Sequence, residues 1–221
     1  MPALIVQVYE IATAAEARAV AGAGVDHVGV LVGKGDFPRE LSIDAAAPVV
    51  AAVPEPSRTS LLVLGADLDF AFRAAAALMP SILHLGAAPD LVLPDDLRRL
   101  KAGLPGVRLM RSIPVTGPES VDLARAYEGA ADFLLLDSHK PGDAQVGAQG
   151  VTHDWALDRR IVEAVAIPVI IAGGLGPENV VAAIAAVRPA GVDSKTRTDR
   201  PDGSHRKDPD RVAAFVREAR G

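Results

Sequence analysis

Two textures alternate along the chain. Short runs rich in Val, Ile and Leu are separated by longer Ala-rich segments in which apolar residues return every three or four positions. The first texture suits strands buried on both faces, as in parallel sheets, and the second suits helices with one apolar stripe. The runs predict eight strands, at residues 4–8, 27–32, 60–64, 82–85, 107–113, 133–136, 169–171 and 191–193. The intervening pattern predicts eight helices, at 14–23, 43–53, 67–78, 95–102, 119–127, 155–165, 177–187 and 208–219. Thr13, Ser42 and Asp208 are suited to cap helix N-termini, and Pro94, Pro118, Pro177 and Pro209 fit first turns, where a missing N–H costs nothing. Eight strand-then-helix units predict an α/β protein, a (β/α)8 TIM barrel spanning residues 1–221 as a single domain. An open doubly wound sheet would leave two or three units unexplained.

The barrel reading directs attention to the loops after the strands, where this fold places its chemistry. Those loops bring forward Tyr9 and Glu10, Gly33 to Arg39, His84, Arg111, Asp137 with Ser138 and His139, Gly173 with Gly174, and Ser194 to Arg197. The Gly173–Gly174 pair runs from a strand toward a proline-started helix, an arrangement in which backbone N–H groups can approach a phosphate. The bland alternative is a tight turn that needs positive φ. Asp137 closes an apolar strand, so partial desolvation would raise its pKa toward that of a general acid; the alternative is a loop-bracing carboxylate. Gly142, Gly147 and Gly150 mark a long loop suited to be a lid.

Charge and cysteine content narrow the function further. The formal charge of −5, with the cations scattered, argues against nucleic acid as a partner, and no run is long and apolar enough for a membrane. A soluble cytoplasmic protein acting on a small phosphorylated or carboxylated molecule is expected. Cysteine is absent, which removes any thiol nucleophile, thiolate metal site or disulfide. The cluster Lys195, Thr196, Arg197 favours an anionic ligand. A divalent cation held by His84, Asp137 and His139 is a minor reading, and no metal is assigned.

Several segments together resemble the phosphoribosylanthranilate isomerase family of tryptophan biosynthesis. They are Leu135-Leu136-Asp137-Ser138, Gly147-Ala148-Gln149-Gly150-Val151-Thr152-His153-Asp154-Trp155, Pro168-Val169-Ile170-Ile171-Ala172-Gly173-Gly174-Leu175 and Arg188-Pro189-Ala190-Gly191-Val192-Asp193, with Pro38-Arg39 more weakly. The resemblance implies a cofactor-free Amadori rearrangement of a phosphorylated aminoaldose to an aminoketose, by a monomer or homodimer. It implies Asp137 as general acid, Arg39 as the contact for a substrate carboxylate, and Gly173–Gly174 as part of the phosphate cradle. Arg111 and His139 are further expected substrate contacts.

Three departures stand out. The family's Lys-Ile-Cys-Gly reads Gln7-Val8-Tyr9-Glu10, so the catalytic thiol becomes a phenol and its neighbouring glycine a carboxylate. Tyr9, Glu10 and His84 are the substitute bases, although Tyr9 and His84 also suit packing roles. The family's Ser-Gly after strand eight reads Ser194-Lys195-Thr196-Arg197, and its Gly-Thr-Gly after strand six reads Ala148-Gln149-Gly150. These changes leave open a paralogue with a different lyase, epimerase or aldolase reaction, or a non-catalytic phosphosugar-binding protein.

Overall fold

The computed structural model describes residues 3–138, 144–146 and 154–221. Eight parallel strands close on themselves in chain order: β1 (Ile5–Val8), β2 (His27–Leu31), β3 (Arg58–Val63), β4 (Ile82–Leu85), β5 (Arg108–Pro114), β6 (Phe133–Asp137), β7 (Val169–Ile171) and β8 (Gly191–Ser194). Closure is made by β1 against β8, with Gln7 beside Asp193 and Val8 beside Ser194. Helices α1 (Ala14–Gly22), α2 (Ile43–Val50), α3 (Leu68–Leu78), α4 (Pro94–Gly103), α5 (Glu119–Tyr127), α6 (Trp155–Ala164), α7 (Val180–Val187) and α8 (Pro209–Arg220) follow their strands in turn. The predicted (β/α)8 barrel is therefore the observed fold.

Local chemistry accounts for the helix starts. Thr13, Ser42, Asp67, Asp154 and Asp208 each accept a backbone N–H from the first turn that follows, satisfying donors that the helix itself leaves orphaned. One predicted start needs correcting: α7 begins at Val180, not at Pro177. The Asn179 amide oxygen accepts the Gly176 N–H, and its Nδ2 donates to the Gly174 carbonyl. That side chain ties residues 174–179 into a turn before the helix can start.

Strand alternation divides the apolar residues into two cores. The larger lies between barrel and helices, and includes Leu109, Ile113, Leu134 and Leu136. The smaller fills the barrel, with Tyr9, Ile82, Met110, Phe133, Leu135, Ile170 and Ala172. Residue 111 lies between the inward Met110 and Ser112 positions, so Arg111 points outward. Its Nη1 donates to the Leu85 carbonyl at 2.8 Å and its guanidinium lies over Tyr127 at 5.1 Å, with no exposed surface. This corrects the expected substrate contact: Arg111 is a buried structural cation between barrel and helices.

Inside the barrel the Tyr9 ring occupies the space that a side chain on Gly29 would need. A Cβ there would stand 2.1 Å from Tyr9 Cδ1. The Tyr9 hydroxyl lies 2.7 Å from both Ser60 Oγ and His84 Nδ1, and His84 Nε2 lies 2.7 Å from Ser112 Oγ. A hydrogen-bonded chain thus crosses the barrel floor from β3 to β5.

Candidate active site

The C-terminal ends of the strands surround a cavity of about 680 Å3, counted with the solvent space at its mouth. Tyr9, His84 and Ser112 form its floor, while Asp137, Gly173–Gly174, Asp193 and the loop after β8 form its wall. Val146 also lines it. This residue belongs to a strap in which the Val146 N–H donates to the Gly86 carbonyl and the Ala88 N–H to the Ala144 carbonyl, tying the chain after β6 to the loop after β4. The glycines expected to form a lid, Gly142, Gly147 and Gly150, and the expected contact His139 lie outside the described residues.

Gly173 and Gly174 have φ of +79° and +64°, a left-handed pair that residues with a Cβ rarely adopt. That is why two glycines stand here, and why their backbone can present itself to the cavity. At the end of β8, Ser194 is buried and donates to the Leu175 carbonyl, so it braces the diglycine turn instead of facing a ligand. Lys195 and Thr196 line the cavity. Arg197 does not reach it among the described residues. Its stem packs over Gly176 and its carbonyl accepts the Arg211 Nε–H, so the expected phosphate contact lies outside the wall.

The two carboxylates differ in environment. Asp137 accepts the Ser138 N–H and hydroxyl on one oxygen and is half-buried at the end of β6. Asp193, on β8, is almost fully buried. Desolvation, then the neighbouring Asp137 charge, raises its pKa to about 8, against the opposing pull of Gln7, Lys207 and Lys195. Two carboxyl groups facing one cavity resist joint ionisation, which is why the Asp137 charge helps to hold the proton on Asp193. Asp193 escaped the sequence reading as a site residue. The signal was present in register: residue 193 stands beside Gln7, whose side chain reaches Met110 and His27 inside the barrel, so Asp193 must face inward too.

The residues offered as replacement bases separate clearly. The Tyr9 hydroxyl is held by Ser60 and His84, and burial pushes its pKa well above the usual phenol value. His84 has both ring nitrogens engaged, and burial followed by the Arg111 charge lowers its pKa to about 3. It stays neutral at physiological pH, and its nitrogens are not available to a metal ion. Glu10 lines the cavity with one oxygen 2.6 Å from Lys195 Nζ.

Arg39 also departs from its expected role. Its guanidinium pairs with Glu16, its Nε donates to the Glu10 carbonyl at 3.0 Å, and it does not line the cavity among the described residues. A carboxylate partner already in place costs the fork its geometry for a substrate carboxylate. Arg39 instead fixes the backbone of Glu10, which has φ of +64°.

A closed parallel barrel that brings two carboxylates and a diglycine turn to a cavity at its strand ends has the layout of the TIM-barrel enzymes. Residues 99–218 match the family model of N-(5'-phosphoribosyl)anthranilate isomerase. The isomerase of that name from Haloferax volcanii is 38% identical over 218 residues, covering 97% of this chain and 92% of its own. That from Methanocella arvoryzae is 38% identical over 187 residues, 82% of each chain. Among solved structures, TrpF from Jonesia denitrificans superposes with a TM-score of 0.78 at 28% identity, covering 99% of this chain and 98% of the other. The phosphoribosyl anthranilate isomerase of Thermococcus kodakaraensis gives 0.78 at 26% identity over 99% of each. The chain belongs to the N-(5'-phosphoribosyl)anthranilate isomerase family.

Proposed function

We propose that this chain isomerises N-(5'-phosphoribosyl)anthranilate, an aminoaldose, to the corresponding aminoketose at the cavity where Asp137, Asp193 and the diglycine turn meet. That convergence is the observation that carries the reading. The phosphate rests on the backbone at Gly173–Gly174 with Thr196 beside it, because fixed N–H donors suit a dianion without an added cofactor.

The reaction has two proton demands. Protonation of the furanose oxygen lets the C1–O bond break, with the anthranilate nitrogen supplying the electron pair of the new C1=N bond. Removal of the C2 proton then gives an enolamine, which becomes the ketone when C1 takes up a proton and the C2 hydroxyl gives up its own, restoring the proton that the acid donated to the ring oxygen. Asp137 donates the first proton. Asp193 keeps that proton available at neutral pH, since one of the two carboxyls stays protonated in the shared site. The work is done by a soluble cytoplasmic protein.

The sign of the pH dependence follows. Donation requires the pair to hold its proton, so kcat/KM is expected to fall as pH rises through about 8, the value to which Asp193 is raised. A pH–rate profile with N-(5'-phosphoribosyl)anthranilate checks this. An Asp193→Asn variant should move or remove that limb; a limb unchanged in position would reject the shared proton.

A further inference from the structure

Among the described residues six titratable side chains line the cavity: Tyr9, Glu10, His84, Asp137, Asp193 and Lys195. The proposed isomerisation engages Asp137 and Asp193 in proton donation, and the hydrogen bonds of Tyr9 and His84 point both away from proton abstraction. Glu10 and Lys195 remain, paired with each other, and the surroundings of Glu10 are those of a built site. Its side chain is 5% exposed. One oxygen meets Lys195 Nζ at 2.6 Å, and the other, Oε2, is buried with no hydrogen-bond partner among the described residues. A buried carboxylate oxygen without a donor is costly unless something else uses it.

Both members of this pair are fixed from behind. The Glu10 carbonyl receives the Arg39 Nε–H, and Arg39 is anchored on Glu16, which also accepts the Ala12 N–H at the start of α1. The Lys195 carbonyl receives the Lys207 ammonium at 2.9 Å, and that buried ammonium pairs with Asp199. The backbone at Glu10 is left-handed, a conformation that glycine adopts freely and a glutamate holds only when its surroundings impose it.

We infer that Glu10 is the catalytic base of this chain: its unpartnered oxygen takes the C2 proton, while Lys195 holds the other oxygen as a positioning residue. The inference rests on the proposed isomerisation. The C–H electron pair moves into the C1–C2 bond as the C1=N bond becomes an amine; Glu10 then delivers the proton to C1 as the C2 hydroxyl proton passes to the ionised Asp137 and the ketone forms. A carboxylate held by an ammonium on one oxygen thereby stands in for a thiolate, and the phenol at residue 9 is free to serve as the barrel filler that its packing shows.

The test uses the full chain with N-(5'-phosphoribosyl)anthranilate deuterated at C2. Wild type is expected to turn over with loss of the C2 deuterium. Glu10→Gln is expected to lose at least a thousandfold in kcat, with binding of ribose 5-phosphate by calorimetry within threefold. Because ring opening still proceeds, borohydride added to that variant should trap a C1-reduced amine that retains its C2 deuterium, above the level of an enzyme-free control. Glu10→Asp should lower kcat ten- to a hundredfold with KM within threefold, since shortening the side chain withdraws the oxygen from C2. Glu10→Gln turning over within tenfold of wild type overturns the inference. If that variant does not fold, Glu10→Asp decides, and a kcat within threefold of wild type overturns it. Failure of wild type itself to turn over would instead reject the isomerase reading on which this rests.

Discussion

Asp137→Asn is expected to lower kcat/KM by about three orders of magnitude or more, the scale attached to loss of a positioned general acid. The substitution keeps the volume and an oxygen for the Ser138 N–H, so the turn after β6 should survive and the loss should be chemical. A second consequence separates this from a folding defect. The Asp137 charge is the second contribution to the raised pKa of Asp193, so its removal should bring that pKa down from about 8. Asp193 titrates higher in the folded chain than in the unfolded one. The stability linked to it is therefore complete at and below about pH 4 and is lost as pH rises toward 8. Asp137→Asn should reduce that loss, so thermal unfolding at pH 8 should occur at a higher temperature than in wild type. A variant that keeps more than a tenth of wild-type kcat/KM, or that melts earlier at every pH, would speak against the carboxylate pair.

Gly29→Ala is expected to destabilise the chain by about 3 kcal/mol, the upper part of the range for overpacking a filled core. The added methyl would lie 2.1 Å from Tyr9 Cδ1. This is the root of the ring, not a flexible tip, and the hydroxyl at the far end is pinned by Ser60 and His84. The ring has no direction in which to yield. In a Tyr9→Ala background the same substitution should cost under about 1 kcal/mol, giving a coupling of about 2 kcal/mol between the two positions. Denaturant titration of the four proteins measures it. Equal cost in both backgrounds would show that the ring does not impose the glycine.

The relation between these residues shows where reading the chain succeeded and where it stopped. The eight units were legible because burial on both faces leaves unbroken apolar runs, while helices between them carry a one-sided stripe. The placement of Asp137 and of Gly173–Gly174 was legible too, since the first ends β6 and the glycines follow β7 at the mouth of the barrel. Side-chain direction was harder. Arg111 follows two strand residues of opposite orientation, and only the register of β5 against β4 and β6 tells that position 111 faces the helices. Arg39 and Arg197 sit in the right loops, but partners far along the chain, Glu16 for one and the Gly176 and Arg211 region for the other, hold them elsewhere. Asp193 was hidden for the opposite reason. It looks like the last residue of an ordinary short strand until β1 and β8 close the barrel and set it beside Gln7.

The cysteine-free composition also gains a physical meaning. With Tyr9 in the place of the thiol, the neighbouring residue changes from glycine to Glu10, and Lys195 appears across the β1–β8 seam to meet it. The local geometry at residue 10 is still the positive φ that a glycine would adopt. The substitutions at 9, 10 and 195 therefore make one connected arrangement in space, although 185 residues of sequence separate its ends.

On the proposed reading the cavity at the strand ends isomerises a phosphorylated aminoaldose. Its most direct test is incubation of the purified full chain with N-(5'-phosphoribosyl)anthranilate, followed by mass spectrometry of the product. Conversion to the aminoketose is expected, with no such product from Asp137→Asn over the same time. Recovery of unchanged substrate, with the protein nonetheless stabilised by that substrate against heat, would contradict it and define a binding protein on an enzyme's scaffold.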